Sequence, residues 1–147
     1  NLIHFGMGPK RGDDGKLAFT LPMGDGKLPG IAAEDIGKCA LGIFKKGGEL
    51  IGKRVGIAGE QLTGTEMAAA LTGALGKEVV YNYVPPEVYR TFDFPGAADL
   101  GNMFQFKRDF QDAFCGPRGV EATRDLNSSL QSFDAWLDKN KDRIPIE

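Results

Sequence analysis

The sequence predicts an α/β fold in which a βαβ unit is flanked by several helices. Three observations predict it. Between Lys53 and Val84, a β-branched stretch, a capped helical stretch and a second β-branched and aromatic stretch follow one another directly. Upstream, Ile36, Cys39, Ala40, Ile43 and Phe44 fall at i, i+3, i+4, i+7 and i+8, the apolar face of an amphipathic helix. Downstream, apolar and aromatic residues recur at helical spacing from Leu100 to Phe114, and again at Phe133, Trp136 and Leu137. The chain has 147 residues, 41% apolar and 26% charged, which suits one soluble domain and is too short for two.

Residues 1–8 read as the end of a helix stopped at Gly6 or Gly8 ahead of Pro9. Lys10 to Lys16 is a polar turn, Leu17–Leu21 alternates as a strand, and Pro22 to Gly26 turns the chain again. Leu28 to Ala32 is a short extended piece. The helix through Ile36 and Phe44 closes on Lys45 and Lys46, which suit its negative end, before Gly47 and Gly48. Lys53–Ala58 reads as a strand, and Thr63-Gly64-Thr65-Glu66 is a capping box that opens a helix with Met67, Ala70, Leu71, Ala74 and Leu75 on one face, stopped by Gly76. Glu78–Val84 is the second strand, expected to run parallel to Lys53–Ala58. Pro85 and Pro86 start a short helix through Phe92. A longer helix is expected from Ala97 to Phe114, ended by Gly116-Pro117. Residues 118–131 are polar and mixed, and Ser132 caps a last helix with Phe133, Trp136 and Leu137 inward.

Composition excludes several chemistries. Lys+Arg 18 against Asp+Glu 20 leaves −2, with no single-sign block, so direct nucleic-acid binding and an anionic-membrane surface are not expected. No apolar run approaches the ~18 residues of a membrane span. The two cysteines, Cys39 and Cys115, lie in apolar surroundings and outside any CxxC, and are expected to be buried reduced thiols. The single His4 precludes a metal site built on histidines, and Ser128, Ser129 and Ser132 sit in helix-boundary sequence, which leaves no serine triad. Glycine, 21 of 147 residues, is about twice its usual share but scattered as turn punctuation.

Gly59 to Thr65 follows a strand and precedes a helix, where a phosphate loop would lie, but Thr65 stands where that loop needs lysine. No Gly-x-Gly-x-x-Gly follows either strand. The reductase pairing of Tyr with Lys four residues on is absent at Tyr81, Tyr83 and Tyr89, where Pro85, Glu87 and Asp93 stand instead. Asp13, Asp14, Asp25, Glu34 and Asp35 read as solvated turn acids. The aromatic stripe from Phe104 to Phe114 reads as core or interface. No catalytic or metal-binding residue is expected. The chain opens Asn-Leu-Ile, without Met and apolar at once, which reads as a piece of something larger.

Leu21-Pro22-Met23-Gly24-Asp25, Glu34-Asp35-Ile36-Gly37, Gly52-Lys53-Arg54-Val55-Gly56-Ile57, Phe94-Pro95-Gly96-Ala97-Ala98-Asp99-Leu100 with Asn102-Met103-Phe104, and Phe133-Asp134-Ala135-Trp136-Leu137 occur in this order. Together they resemble the C-terminal half of the NmrA-like family, relatives of the atypical short-chain dehydrogenases/reductases. The resemblance covers residues 1–147 as the C-terminal part of an NmrA-like domain. It implies a substrate- and partner-binding part of an NAD(P)-binding Rossmann-type protein, whose Gly-rich nucleotide-binding half is absent here. That missing half is the first implied partner; a regulatory protein or a small apolar substrate is the second. NADP(H) is the cofactor implied for the full-length protein, with none expected for this chain alone, and only Asn1 matches a family cofactor contact. The function implied is NADP(H)-responsive redox sensing in transcriptional regulation. The alternative is the substrate domain of an NADPH-dependent oxidoreductase acting on a quinone or carbonyl, with Tyr81, Tyr83, Phe104 and Phe106 lining an apolar pocket. A cytoplasmic location, extending to the nucleus in a eukaryote, and a homodimer through the Phe104–Phe114 stripe complete the expectations. An isolated βαβ pair also leaves sheet edges open, which the missing half would cover. At Ala32 relatives often place a Ser helix cap, so the helix start here loses roughly 1 kcal/mol.

Overall fold

A computed structural model of the chain describes residues 3–12 and 14–146. A π-helical turn at Ile3–Met7 realises the expected helix ending, and Asn1 lies outside the described residues. The central sheet has three strands, β1 (Lys10–Arg11), β2 (Leu17–Leu21) and β5 (Val79–Tyr83), in the order β1-β2-β5. β1 runs antiparallel to β2, so Lys10 and Arg11 belong to a hairpin rather than to its turn. β2 and β5 are parallel, in register from Leu17↔Val79 to Leu21↔Tyr83. Along β2 the alternation expected of a half-buried strand puts Leu17, Phe19 and Leu21 in the core.

A second, two-stranded sheet pairs β3 (Leu28–Gly30) antiparallel to β4 (Glu60–Leu62). The α/β class therefore stands, but the first strand of the parallel pair is β2, not Lys53–Ala58. Residues 53–58 form no strand: the Ala58 amide donates to the Thr123 hydroxyl at 3.0 Å, and the segment has no neighbouring strand among the described residues.

Helix α2 (Gly64–Leu75) begins at the anticipated capping box. The Glu66 amide donates to the Thr63 hydroxyl at 3.2 Å, and the Thr63 amide donates to the Glu66 carboxylate at 2.8 Å. It ends at Gly76 in the left-handed conformation, with φ +63°. Ala68 and Leu71 of α2 pack with the β2 residues, Met23, Val79, Tyr89, Phe104 and Leu137 in one core.

Helix α1 (Ala33–Lys46) spans the expected residues, and its start at Ala32 lacks a side-chain cap. Its orientation is the surprise: Asp35 and Cys39 are buried, whereas Ile36 and Phe44 face outward. A Cβ at Gly42 would lie 2.2 Å from the Leu126 carbonyl oxygen, so glycine is what lets this side of α1 sit so close to the following helices.

After α3 (Pro86–Tyr89), the helix expected over 97–114 is two helices, α4 (Ala97–Asp109) and α5 (Gln111–Cys115), broken at Phe110. The break lets the Gln111 side chain accept the Lys27 amide at 2.5 Å and brings Cys115 to the Lys27 carbonyl. The polar stretch 118–131 contains a helix that the periodicity concealed, α6 (Val120–Leu126). Its buried position is the polar Thr123, whose hydroxyl donates to the Gly119 carbonyl and accepts from Ala58. Helix α7 (Phe133–Asn140) starts at Ser132, whose hydroxyl accepts from the Ala135 amide, and it buries Leu137 as expected. No helix of the described residues is long and apolar enough to cross a membrane.

Candidate ligand and partner site

In an α/β sheet the place to look is outside the carboxyl ends of parallel strands, where side chains and loops converge on open space. Here those ends are Leu21 and Tyr83, side by side, followed by the turn Pro22 to Gly26 and by α3. Gly24 adopts φ +54°, which favours glycine, and a Cβ there would lie 3.8 Å from the Tyr83 ring and 4.0 Å from Arg108 Cδ. Arg108, in the last turn of α4, donates from Nη1 to the Tyr83 hydroxyl at 3.1 Å and holds Asp109 with Nε and Nη2, each at 2.8 Å. The Asp109 carboxylate is the main reason that the guanidinium holds its proton even more firmly than usual, and Asp109 is held below the ordinary carboxylate range in return. Gly24, Tyr83 and Arg108 thus form a small surface at the strand ends in which a tyrosine meets an arginine–aspartate ion pair.

Tyr81 lies two residues earlier in the chain and does different work. Its hydroxyl donates to the carbonyls of Leu21 (3.2 Å) and Gly24 (3.0 Å), and burial raises its pKa. Its ring covers the first turn of α2, where a Cβ at Gly64 would lie 2.2 Å from Cε2. Tyr81 therefore fastens the 22–26 turn. Phe104 is fully buried and meets Tyr89 edge to face, with ring centroids 5.9 Å apart. Phe106 is exposed and pairs with exposed Phe110 at 5.1 Å. Of the four residues expected to line an apolar pocket, Phe104 belongs to the core and Tyr81 to the turn; Tyr83 and Phe106 are on the surface. The Phe104–Phe114 stripe is likewise split between core and surface. Arg108 is the residue that sequence reasoning missed, because it meets Tyr83 across 25 residues with no local spacing to reveal it.

Two open depressions lie elsewhere. One, of about 380 Å³, is lined by Lys27, Gln61, Gln111, Asp112, Cys115, Gly116 and Gly119; the other, of about 350 Å³, lies at the amino ends of β2 and β5 beside Arg11, Lys16, Lys77 and Glu78. The turn from Gly59 to Thr65 does not fit a dinucleotide phosphate. The Gly59 amide donates to the Gly30 carbonyl, the start of α2 is occupied by its own Glu66 carboxylate, and the Tyr81 ring covers Gly64. Among the described residues no group of three His, Cys, Asp or Glu side chains can hold a metal. Cys39 and Cys115 are free and buried, and burial pushes both thiols above their usual pKa.

One of the turn acids is not solvated. Asp35 is fully buried and accepts from the Gln131 amide (2.9 Å), Gln131 Nε2 (3.2 Å) and Lys38 Nζ (2.9 Å). Gln131 also donates to Glu34 and accepts from Lys139, so the start of α1 is tied to the start of α7.

Solved structures share this fold. A crystal structure of NmrA, a negative transcriptional regulator, superposes with a TM-score of 0.68 and 24% identity over 88% of this chain. NmrA has also been crystallised with NAD and with NADP. A nucleoside-diphosphate-sugar epimerase from Staphylococcus aureus matches with a TM-score of 0.65 and 25% identity over 82% of the chain. A triphenylmethane reductase from Citrobacter sp. matches with 0.58 and 18% over 84%. The chain spans only 44%, 43% and 43% of these three proteins, respectively. The model of the NmrA-like family matches residues 1–137 of the 147, and the chain belongs to the NmrA-like family.

Proposed function

We propose that this chain is the cleft-closing and partner-binding part of an NADP(H)-responsive regulator. The observation that carries the reading is the Gly24–Tyr83–Arg108 surface at the carboxyl ends of β2 and β5, where the Tyr83 hydroxyl and the Arg108 guanidinium meet at 3.1 Å beside the Gly24 turn. The crystallisation of NmrA, a regulator, with both NAD and NADP supports a dinucleotide as the signal. In this reading the cofactor is held by a nucleotide-binding half, which is the first partner, and a regulatory protein is the second. The chain by itself has no dinucleotide site and no turnover. The reading places the protein in the cytoplasm, or also in the nucleus of a eukaryote.

The second reading, the substrate domain of an NADPH-dependent reductase for a quinone or carbonyl, draws on the exposed aromatic residues Tyr83, Phe106 and Phe110 and on the fold shared with a reductase. Calorimetric titration of NADPH and then NADP⁺ onto the 147-residue chain is the first test. Absence of heat at millimolar cofactor is expected. Micromolar binding would overturn the proposal by placing a dinucleotide site within these residues. Quinone turnover by the chain joined to its nucleotide-binding half would favour the reductase reading instead.

A further inference from the structure

The larger of the two open depressions, of about 380 Å³, is lined by two glutamines whose side chains are each half engaged. Pairing of β3 with β4 sets Gln61 opposite Pro29, and the helix break at Phe110 brings Gln111 back to the segment that leads into β3. Gln61 donates from Nε2 to the carbonyls of Cys115 (3.1 Å) and Arg118 (2.8 Å). Gln111 accepts the Lys27 amide on Oε1 at 2.5 Å. These partners fix which end of each side-chain amide is which, since a carbonyl accepts only from nitrogen and an N–H donates only to oxygen.

What remains is one acceptor and one donor. Gln61 Oε1 and Gln111 Nε2 have no hydrogen-bond partner among the described residues. Both residues are half-buried, yet neither free end is sealed in: among the described residues, the Asn127 amide nitrogen is the one buried side-chain polar atom without a partner. Each glutamine is thus tied to the wall at one end and open at the other, so little side-chain freedom is left to lose on binding. Lys27 and Asp112 stand at the same depression, both exposed and neither in an ion pair among the described residues. Its volume lies within the range of small-molecule sites, about 300–1,000 Å³, and its polar lining suits a polar occupant.

We infer that this depression binds a small zwitterion that carries an amide, of the class of an amino acid with a carboxamide side chain or a dipeptide. The ligand amide donates to Gln61 Oε1 and accepts from Gln111 Nε2, while its carboxylate meets Lys27 and its ammonium group meets Asp112. Two oriented amides reject an isostere that lacks the amide, because both then give up water without regaining a bond. One charge of each sign at the same depression disfavours a ligand of a single sign. The inference does not depend on the cofactor reading, which the titration of NADPH and NADP⁺ tests separately.

Titration of the nitrogen-15-labelled 147-residue chain with L-asparagine and with glycylglycine tests it, read by NMR on the side-chain amide signals of Gln61 and Gln111. At least one of the two probes is expected to shift both signals, with a dissociation constant of about 1 mM or tighter. Binding of asparagine alone assigns a carboxamide, and binding of glycylglycine alone a peptide bond. L-leucine, isosteric with asparagine, and 5-aminopentanoate, isosteric with glycylglycine, lack the amide and are expected to bind about tenfold more weakly or worse. Gln111→Glu keeps the oxygen that accepts the Lys27 amide but removes the free donor, and should weaken binding about tenfold. Lys27→Gln and Asp112→Asn remove exposed charges that hold no other group, and each should weaken it about threefold. Lys77→Gln, beside the other depression, is the control and leaves affinity unchanged. Failure of both probes to shift the two glutamine signals would overturn the inference. Isosteres that bind as well as the amides would do the same, as would any of the three site variants binding as the wild type does.

Discussion

Asp35→Asn isolates the polar knot that ties α1 to α7. The buried carboxylate accepts three hydrogen bonds, two from Gln131 and one from Lys38. Asparagine keeps the shape, and its one carbonyl oxygen can go on accepting the Gln131 amide. Its NH₂ then faces the Lys38 ammonium, donor against donor. A hydrogen bond to a charged group is worth about 1.5–3 kcal/mol and a neutral one about 0.5–1.5. Weakening two such bonds and losing the third, the last to a lysine that can swing into water, comes to about 2 kcal/mol after the lower desolvation cost of the neutral side chain. With a urea slope of about 1–3 kcal/mol per M, the unfolding midpoint should fall by about 1 M. Asp138→Asn, at an exposed position, should move it by no more than a surface change does, about 0.5 kcal/mol.

Acid provides the second arm of the same experiment. Burial opposes ionisation of Asp35, but the Gln131 amide, Lys38 and the Gln131 side chain outweigh it and hold the carboxyl below its ordinary 3.8. Glu34 is lowered too, chiefly by its hydrogen bond from Gln131. A group whose pKa is depressed by folding contributes stability above its unfolded value, and the contribution is lost as pH falls through the folded one. The gap between the wild type and Asp35→Asn should therefore be widest near neutral pH and close progressively below about pH 4. A midpoint gap no larger than that of Asp138→Asn, or one that widens on acidification, would refute the reasoning.

Gly64→Ala should cost about 1–3 kcal/mol in thermal unfolding, because the new methyl collides with the Tyr81 ring; in a Tyr81→Ala background the same change should cost much less. Tyr81→Phe, which removes the hydroxyl from the Leu21 and Gly24 carbonyls, should cost about 1 kcal/mol by the same measurement. Thr63→Ala removes the capping hydroxyl of α2 and should cost about 1 kcal/mol in urea unfolding. Cys39 and Cys115 should stay silent toward a thiol-titrating disulfide reagent in the native chain and react fully in denaturant, since both are buried with raised pKa values.

The elements legible in the sequence were those specified by their own residues. The capping box at Thr63 and Glu66, the Gly76 stop, the alternation of Leu17–Leu21 and the Ser132 cap act within a few positions, and each is where the pattern puts it. What escaped depended on distant groups. The break at Phe110 is set by where Gln111 and Cys115 must reach, near Lys27. α6 hid because its buried residue is Thr123, a polar side chain paired with Ala58 across 65 positions. The candidate site was half legible. Tyr83 was anticipated and stands at the surface, but its partner Arg108 comes from another helix. Phe104, grouped with Tyr83 by its chemistry, is a core residue.

Helix α1 and residues 53–58 disagree with their sequence in the same direction, and the agreement between two failures is informative. Alternating, β-branched sequence ordinarily earns a ladder partner, and an apolar helix stripe ordinarily faces a core. In α1 the inward side is instead built from an ionised carboxylate, a small thiol and a glycine, each fitted individually: Asp35 by Gln131, Cys39 by burial, Gly42 by the Leu126 carbonyl. Such specific fitting argues that this inward contact is native rather than a collapse onto the nearest surface. The apolar residues Ile36, Leu41 and Phe44 lie on the opposite, exposed side. The inward face of α1 was thus legible only through distant groups, Gln131 and the Leu126 carbonyl, whereas the outward stripe obeys the local periodicity and meets no core among the described residues.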